Sequence, residues 1–304
     1  MLRSHYDVHV ADGLTRGELK EAIAGVDALL PLLTVRVDEE ILQRAHRLRV
    51  IANHAVGYDN VDLEAASRRG IWVTNTPDVL TEATADLTWA CILAVVRRVV
   101  EGDSMTRAGR FEGWVPTLLL GTELRDKTLG VVGFGKIGRA VARRAAGFGV
   151  RVIYHDPGLA EGPVDLGLLT AESAPLDRLL AESDVVSLHT PLTPETRHLI
   201  DARRLAQMKP TAYLVNTSRG PVVDEAALVE HLRAGRLAGA ALDVYEREPA
   251  LTPGLAQLPS VVLLPHIGSA TRETRLAMAR LAADNIHAVL QGRDPITPVN
   301  RPVS

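Results

Sequence analysis

The sequence predicts an α/β protein built on two doubly wound parallel sheets. Three observations predict it: short β-branched runs alternate with helical patterns from end to end, 304 residues suffice for two ordinary domains, and a glycine-rich turn follows an apolar strand near the middle. In the first third, the runs "YDVHVA", "ALLPL", "RVIANH" and "IWVTN" read as strands, and "TRGELKEAIAG", "DEEILQRAHRL" and "DLEAASRRG" as the helices between them. From Thr81 to about Gly109 an apolar pattern at helical spacing continues without proline, which predicts one long helix bridging two domains.

Six further strand candidates follow: "TLGVVGFG", "VRVIYHD", "DVVSLHT", "AYLVNTS", "GAALDVY" and "VVLLPH". Helical patterns such as "KIGRAVARRAAGF" and "DEAALVEHLRAG" separate several of them, the rhythm of a dinucleotide domain. The last strand, Val261 to Leu264, reads as buried. A long amphipathic helix, "TRETRLAMARLAADNIHAVLQG", and a proline-rich tail, "RDPITPVNRPVS", close the sequence. The tail is expected to pack back on the first domain. The domains are expected at 1–97 with 286–304, and at 98–285.

Composition narrows the function. The chain is 46% hydrophobic and 23% charged with net charge −3, which fits a globular protein and offers no basic face for nucleic acid or anionic membrane. Its 34 basic residues are 30 Arg and 4 Lys, scattered among 37 acids. Cys91 is the only cysteine, so an intrachain disulfide and a Cys-rich zinc site are excluded, and its apolar setting reads as a buried thiol. No metal site is expected. The longest apolar run, Leu87 to Val96, is about half a membrane span. The N-terminal stretch has no apolar signal region, so a cytoplasmic protein is expected.

The glycine turn is Gly133-Phe134-Gly135-Lys136-Ile137-Gly138. Gly133 permits the tight turn, Gly135 lets the backbone approach a pyrophosphate, and Gly138 lets the helix pack on the strand. The helix N-terminus favours an anion there. The next strand ends in Asp156, where an acid accepts hydrogen bonds from ribose hydroxyls and repels a 2′-phosphate; this favours NAD over NADP. Taken alone, Asp156 also reads as a turn former before Pro157.

Ligands of a doubly wound fold sit beyond the carboxyl ends of the strands. Ionisable residues there are Arg219, then Asp243, Glu246 and Glu248, then His266. An arginine offers a planar fork for a carboxylate, a histidine exchanges protons near neutrality, and a carboxylate on its other nitrogen fixes the tautomer. Singly these residues read as a surface ion pair, a solvated loop acid and a core histidine. Jointly, on one rim, they read as a site for proton and hydride transfer.

These segments resemble the D-isomer-specific 2-hydroxyacid dehydrogenases over nearly the whole chain: "GFGKIG", "LVNTSRGPVVDEAAL", "ALDVYEREP" and "LPHIGSAT" stand in the family order. "AVGYDN", "VLTEATADLTWA" and "GRFEGWVP" are similar to the glyoxylate and hydroxypyruvate reductase branch. The resemblance implies a Rossmann-like cofactor domain inserted in a flavodoxin-like substrate domain. It implies a homodimer formed through the cofactor domain, and reversible hydride transfer between NAD(H) and a small 2-oxo or 2-hydroxy acid. Arg219 would clamp the 2-oxo acid, His266 would donate the proton and Glu248 would partner His266; Glu246 is off the family position. The backbone amides of Val56 and Gly57 would hold the substrate carboxylate. Thr84, Thr190, Pro191, Thr217, Asp243 and Gly268 would line the cofactor site. Trp114 would either reach across the dimer to the substrate or pack at its interface. The 3-phosphoglycerate and phosphite dehydrogenases, and a non-catalytic NAD-binding scaffold, remain as alternative readings.

Overall fold

A computed structural model describes residues 1–302, and the chain divides into two compact units, 1–80 with 270–304 and 81–269. The divisions expected at 97/98 and 285/286 fall instead at 80/81 and 269/270, so each long helix belongs whole to one unit.

In the first unit, α1 (Arg16–Ala22) opens on a capping box between Thr15 and Glu18. It is followed by β1 (Ala28–Leu29), α2 (Glu39–Leu42), β2 (Val50–Ala52), α3 (Leu63–Arg68) and β3 (Trp72–Thr74). The strands form a parallel sheet in the order β1-β2-β3. Alternation along β2 covers both faces. Ile51 packs with Ile41, Leu42 and Ala65 of α2 and α3. Val50 and Ala52 pack with Ala282, Ile286 and Val289 of the helix Arg272–Leu290. The tail runs beside β3, where Val299 N–H donates to Val73 O and Val73 N–H to Asn300 Oδ1.

This sheet is narrower than the flavodoxin-like expectation, because "YDVHVA" forms no strand. Val10 is 70% exposed, so the run has no apolar face to bury, and the Tyr6 hydroxyl bonds His287 Nδ1 at 2.9 Å instead.

The second unit begins with α4 (Thr81–Val96) and α5 (Val99–Arg107), two helices where one was expected. Between them Arg98 takes φ +53°, and the cause is a crossing chain. Thr122 N–H takes the Val96 carbonyl at 2.8 Å, and a Cβ on Gly121 would lie 2.4 Å from that oxygen. With that acceptor engaged and its surroundings filled, the helix stops.

The remainder is β4 (Thr128–Val132), α6 (Lys136–Arg144), β5 (Arg151–His155), β6 (Val164–Asp165), β7 (Thr170–Ser173), α7 (Leu176–Glu182), β8 (Val185–Leu188), α8 (Ala202–Leu205), β9 (Tyr213–Asn216), α9 (Glu225–Arg233), β10 (Gly239–Leu242) and β11 (Val261–Leu263). All six strands expected here form. The β6–β7 pair, turned at Gly167 with φ +89°, was not legible in so short a stretch.

The sheet order is β11-β10-β9-β8-β4-β5-β7-β6, parallel except for β6. The chain leaves β4 in one direction and returns beside it at β8, which makes the carboxyl ends of β4 and β8 the switch point. The strand carrying the histidine is the edge strand; only Val262 within it is buried, so the buried-strand expectation fails there.

Candidate active site

Register builds the site. Val132, Leu188, Asn216, Leu242 and Leu263 lie in one row across five strands. The residues that follow them, Gly133, His189, Thr217, Asp243 and Leu264, therefore emerge along one rim.

At the switch point the glycine turn meets each requirement set by its sequence. Gly133 has φ +86°, and a Cβ there would lie 2.7 Å from the His189 carbonyl and 2.9 Å from Thr190 N. A Cβ on Gly138 would lie 2.1 Å from Gly133 O, so helix and strand close only without one. A Cβ on Gly135 would meet no atom beyond its chain neighbours within 4 Å, which leaves open space where a pyrophosphate would approach. Gly135 is also the N-cap of α6, and no side chain caps that helix. Beside it the Thr190 hydroxyl is buried and has no partner among the described residues. These features fit a dinucleotide.

The side chain of Phe134 points elsewhere: it is fully buried and stacks on Tyr154 at 4.0 Å. Only its backbone belongs to the turn, and its N–H donates to Asp156 Oδ2 at 2.7 Å. Asp156 Oδ1 accepts from Gly158 N–H at 2.9 Å, so Asp156 is a turn former as well as an acid at the strand end. Lys136 is exposed and Ile137 half-buried on the first turn of α6. His189, absent from the sequence expectations, has its Nε2 against Ser187 Oγ at 2.8 Å, and burial pushes its pKa down to about 3.

Arg219 follows β9 in an extended conformation, in a turn held by Asn216, whose Nδ2 donates to Arg219 O at 3.0 Å. Its neighbour Gly220 sits hard against the next rim loop, where a Cβ would come within 1.9 Å of the Tyr245 carbonyl. Thr217 bonds Thr88 at 2.9 Å, and the Thr88 hydroxyl also donates to Thr84 O. Thr84 and Thr217 are both nearly buried, and Thr84 lies next to Gly268. Thr88 was invisible in sequence because it lies inside an apolar helix.

His266 Nδ1 meets Glu248 Oε2 at 2.9 Å, while Glu248 Oε1 accepts from Tyr245 N–H at 3.0 Å. Burial alone would raise the Glu248 carboxyl. The hydrogen bond and charge of His266, the Tyr245 N–H and the charge of Arg219 outweigh it and hold the group below the ordinary range. Glu246, set aside in sequence, pairs with His198 at 2.9 Å.

His266 has φ +56°, rare for a residue with a Cβ. What holds it there comes from β10. Asp243 accepts from Ile267 N–H and Gly268 N–H, each at 2.7 Å, and the Tyr245 hydroxyl donates to Leu264 O at 2.7 Å. Asp243 was expected at the cofactor. Its two oxygens clamp the loop that carries the histidine, and burial raises its carboxyl against the pull of those N–H groups.

Because the folded-state pKa of Glu248 lies below its unfolded value of about 4.3, its charge contributes stability above that pH and loses it as pH falls through the lowered value. Glu248→Gln is expected to be less stable than the parent above about pH 5 and to approach it below about pH 4. Urea midpoints at both ends of that range measure the closing gap.

Residues 89–268 match the family model of the D-isomer specific 2-hydroxyacid dehydrogenase NAD binding domain. The chain belongs to the D-isomer specific 2-hydroxyacid dehydrogenases. The dehydrogenase is 50% identical to a glyoxylate reductase of Thermococcus gammatolerans and 51% identical to one of Aeropyrum pernix, in each case over 100% of this chain and 92% of the relative. Among solved structures, a Thermus thermophilus protein aligns with TM-score 0.89 and 52% identity over 96% of this chain and 92% of its own. An NADPH-dependent glyoxylate/hydroxypyruvate reductase of Sinorhizobium meliloti, in complex with NADP and malonate, aligns with TM-score 0.84 and 37% identity over 93% and 88%.

Two expected site groups lie apart from these elements in the chain. Val56 and Gly57 are half-buried in a loop of the first unit, and Trp114 is 80% exposed in an irregular segment after α5.

Proposed function

We propose that this dehydrogenase reduces glyoxylate or hydroxypyruvate with NADH. The observation that carries the reading is the His266–Glu248 pair, with the histidine in a strained conformation that Asp243 enforces. The names of its relatives support the substrate class. When bound, the nicotinamide supplies the hydride. The chain does the rest. Glu248 holds Nδ1, so Nε2 of His266 presents the proton to the substrate carbonyl oxygen, and the adjacent charge steadies the imidazolium. Arg219 stabilises the negative charge growing on that oxygen and clamps the acid. The amides of Val56 and Gly57 hold the substrate carboxylate.

For the cofactor, Gly133, Gly135 and Gly138 with the backbone of Phe134, Lys136 and Ile137 would cradle the pyrophosphate. Thr190 and Pro191 would line the cleft, with Thr84, Thr217 and Gly268 toward the nicotinamide. Asp156 favours NAD over NADP. An exposed apolar series, Val99, Val100, Phe111, Trp114, Val115 and Leu120, supports a homodimer through this unit. The single, buried Cys91 fits a cytoplasmic setting, with burial pushing its thiol up to about 12.

Absorbance at 340 nm with glyoxylate, hydroxypyruvate, pyruvate and phenylpyruvate tests the reading. Glyoxylate or hydroxypyruvate is expected to give the highest kcat/KM, with NADH preferred over NADPH by at least roughly tenfold. Tight NADH binding without turnover of any 2-oxo acid would instead identify a non-catalytic scaffold, and equal use of both cofactors would overturn the role of Asp156.

A further inference from the structure

The loop 53–60 turns three successive carbonyls into its own unit. Ala55 O accepts from Thr76 N–H at 2.9 Å, Val56 O from Asn75 Nδ2 at 2.7 Å, and Gly57 O from Asn53 Nδ2 at 2.8 Å. The only cis peptide among the described residues is Glu248–Pro249, so these peptides are trans. In a trans peptide the C=O and N–H point opposite ways. The N–H groups of Val56, Gly57 and Tyr58 are thereby aimed away from the backbone N–H of Thr76 and the side chains of Asn75 and Asn53 that fix these carbonyls. Successive backbone N–H groups facing away from those partners suit a carboxylate.

The middle bond has a second layer. Asn75 N–H donates to Thr297 O at 3.3 Å, and the Thr297 hydroxyl donates to Asn75 O at 2.6 Å. That hydroxyl accepts in turn from Asn285 Nδ2 at 2.8 Å. Asn285 Oδ1 takes the N–H groups of Ile296 and Thr297, at 2.8 and 3.0 Å. Asn285 is fully buried within a helix, where asparagine is a poor helix former and an unpaired amide is costly. Here both ends of its amide are occupied by the tail segment that braces Asn75.

We propose that Asn285, Thr297 and Asn75 form a positioning relay that aims the Val56 and Gly57 amides, making the C-terminal tail a determinant of affinity for the 2-oxo acid. The inference rests on the reading that this loop holds the substrate carboxylate. The relay touches no reacting atom, so it acts on substrate binding and leaves the chemical step alone.

Thr297→Val keeps the side-chain shape and removes the hydroxyl. KM for glyoxylate is expected to rise roughly fivefold, with kcat within about twofold and NADH affinity unchanged, and Thr297→Ser is expected to restore the parent KM. A parent-like KM in Thr297→Val, or a loss that serine does not restore, overturns the relay. If Thr297→Val does not fold, Asn75→Asp carries the same test, because a carboxylate cannot donate to Val56 O. Gly57→Pro separates the two layers by deleting one amide. A raised KM there alongside an unaffected Thr297→Val removes the relay and leaves the loop reading standing. An unaffected KM in Gly57→Pro removes the loop reading and the relay with it.

Discussion

Replacing His266 with alanine is expected to lower kcat for 2-oxo acid reduction roughly 10²-fold or more, with NADH affinity retained. The size follows from what the imidazole supplies. With Nδ1 held by Glu248 at 2.9 Å, Nε2 is the atom that, in the proposed mechanism, gives a proton to the carbonyl oxygen as charge develops there. Alanine leaves Arg219 to carry that charge alone, and water is a poorly placed acid. Stopped-flow reduction rates and NADH fluorescence titration separate the two quantities. A rate within about threefold of the parent would place the proton donor elsewhere.

Asp243→Asn is expected to be the second severe change, and for a reason of geometry. Each carboxylate oxygen accepts one N–H, from Ile267 and from Gly268. An asparagine offers one acceptor and one NH₂, so one buried donor faces another donor. Leaving such a group unpaired costs about 1–3 kcal/mol, which should lower Tm by several degrees. The catalytic effect comes from His266, whose φ of +56° is maintained by bonds to the two residues after it. A shift of about 1 Å in a catalytic group can cost on the order of 10²-fold, so kcat should fall at least roughly tenfold. The diagnostic is non-additivity: Asp243→Asn combined with His266→Ala should be no slower than His266→Ala alone. A double variant slower by the product of both effects would give Asp243 an independent role.

Much of this arrangement was legible because parallel strands announce themselves as apolar runs, and because sites of this fold lie at their ends. Six of the eight strands of the second unit and the glycine turn were readable on that basis, and Arg219, Glu248 and His266 could be picked out as rim residues. What failed did so where tertiary contacts decide. The run Tyr6 to Ala11 alternates like a strand but has no face to bury. The helix beginning at Thr81 stops at Val96 because Thr122, 26 residues downstream, takes a carbonyl, which no periodicity records. Asp243 was legible as a rim acid, but its bonds to Ile267 and Gly268 were not, because a sequence does not show hydrogen-bond partners. Thr88, Tyr245 and Asn75 were missed for the same reason: each acts through an atom that composition cannot reveal.

The placement of β11 has a consequence for endurance. It is an edge strand, bonded on one side only, and only one of its three residues is buried. Edge elements open at lower free energy than the centre of a sheet. The glycine turn sits on β4, near the middle, where opening requires the whole sheet to part. On the proposed reading, the nucleotide is held near the centre of the sheet while the proton donor follows its edge strand. Warming is therefore expected to cost the proposed proton transfer before it costs nucleotide binding.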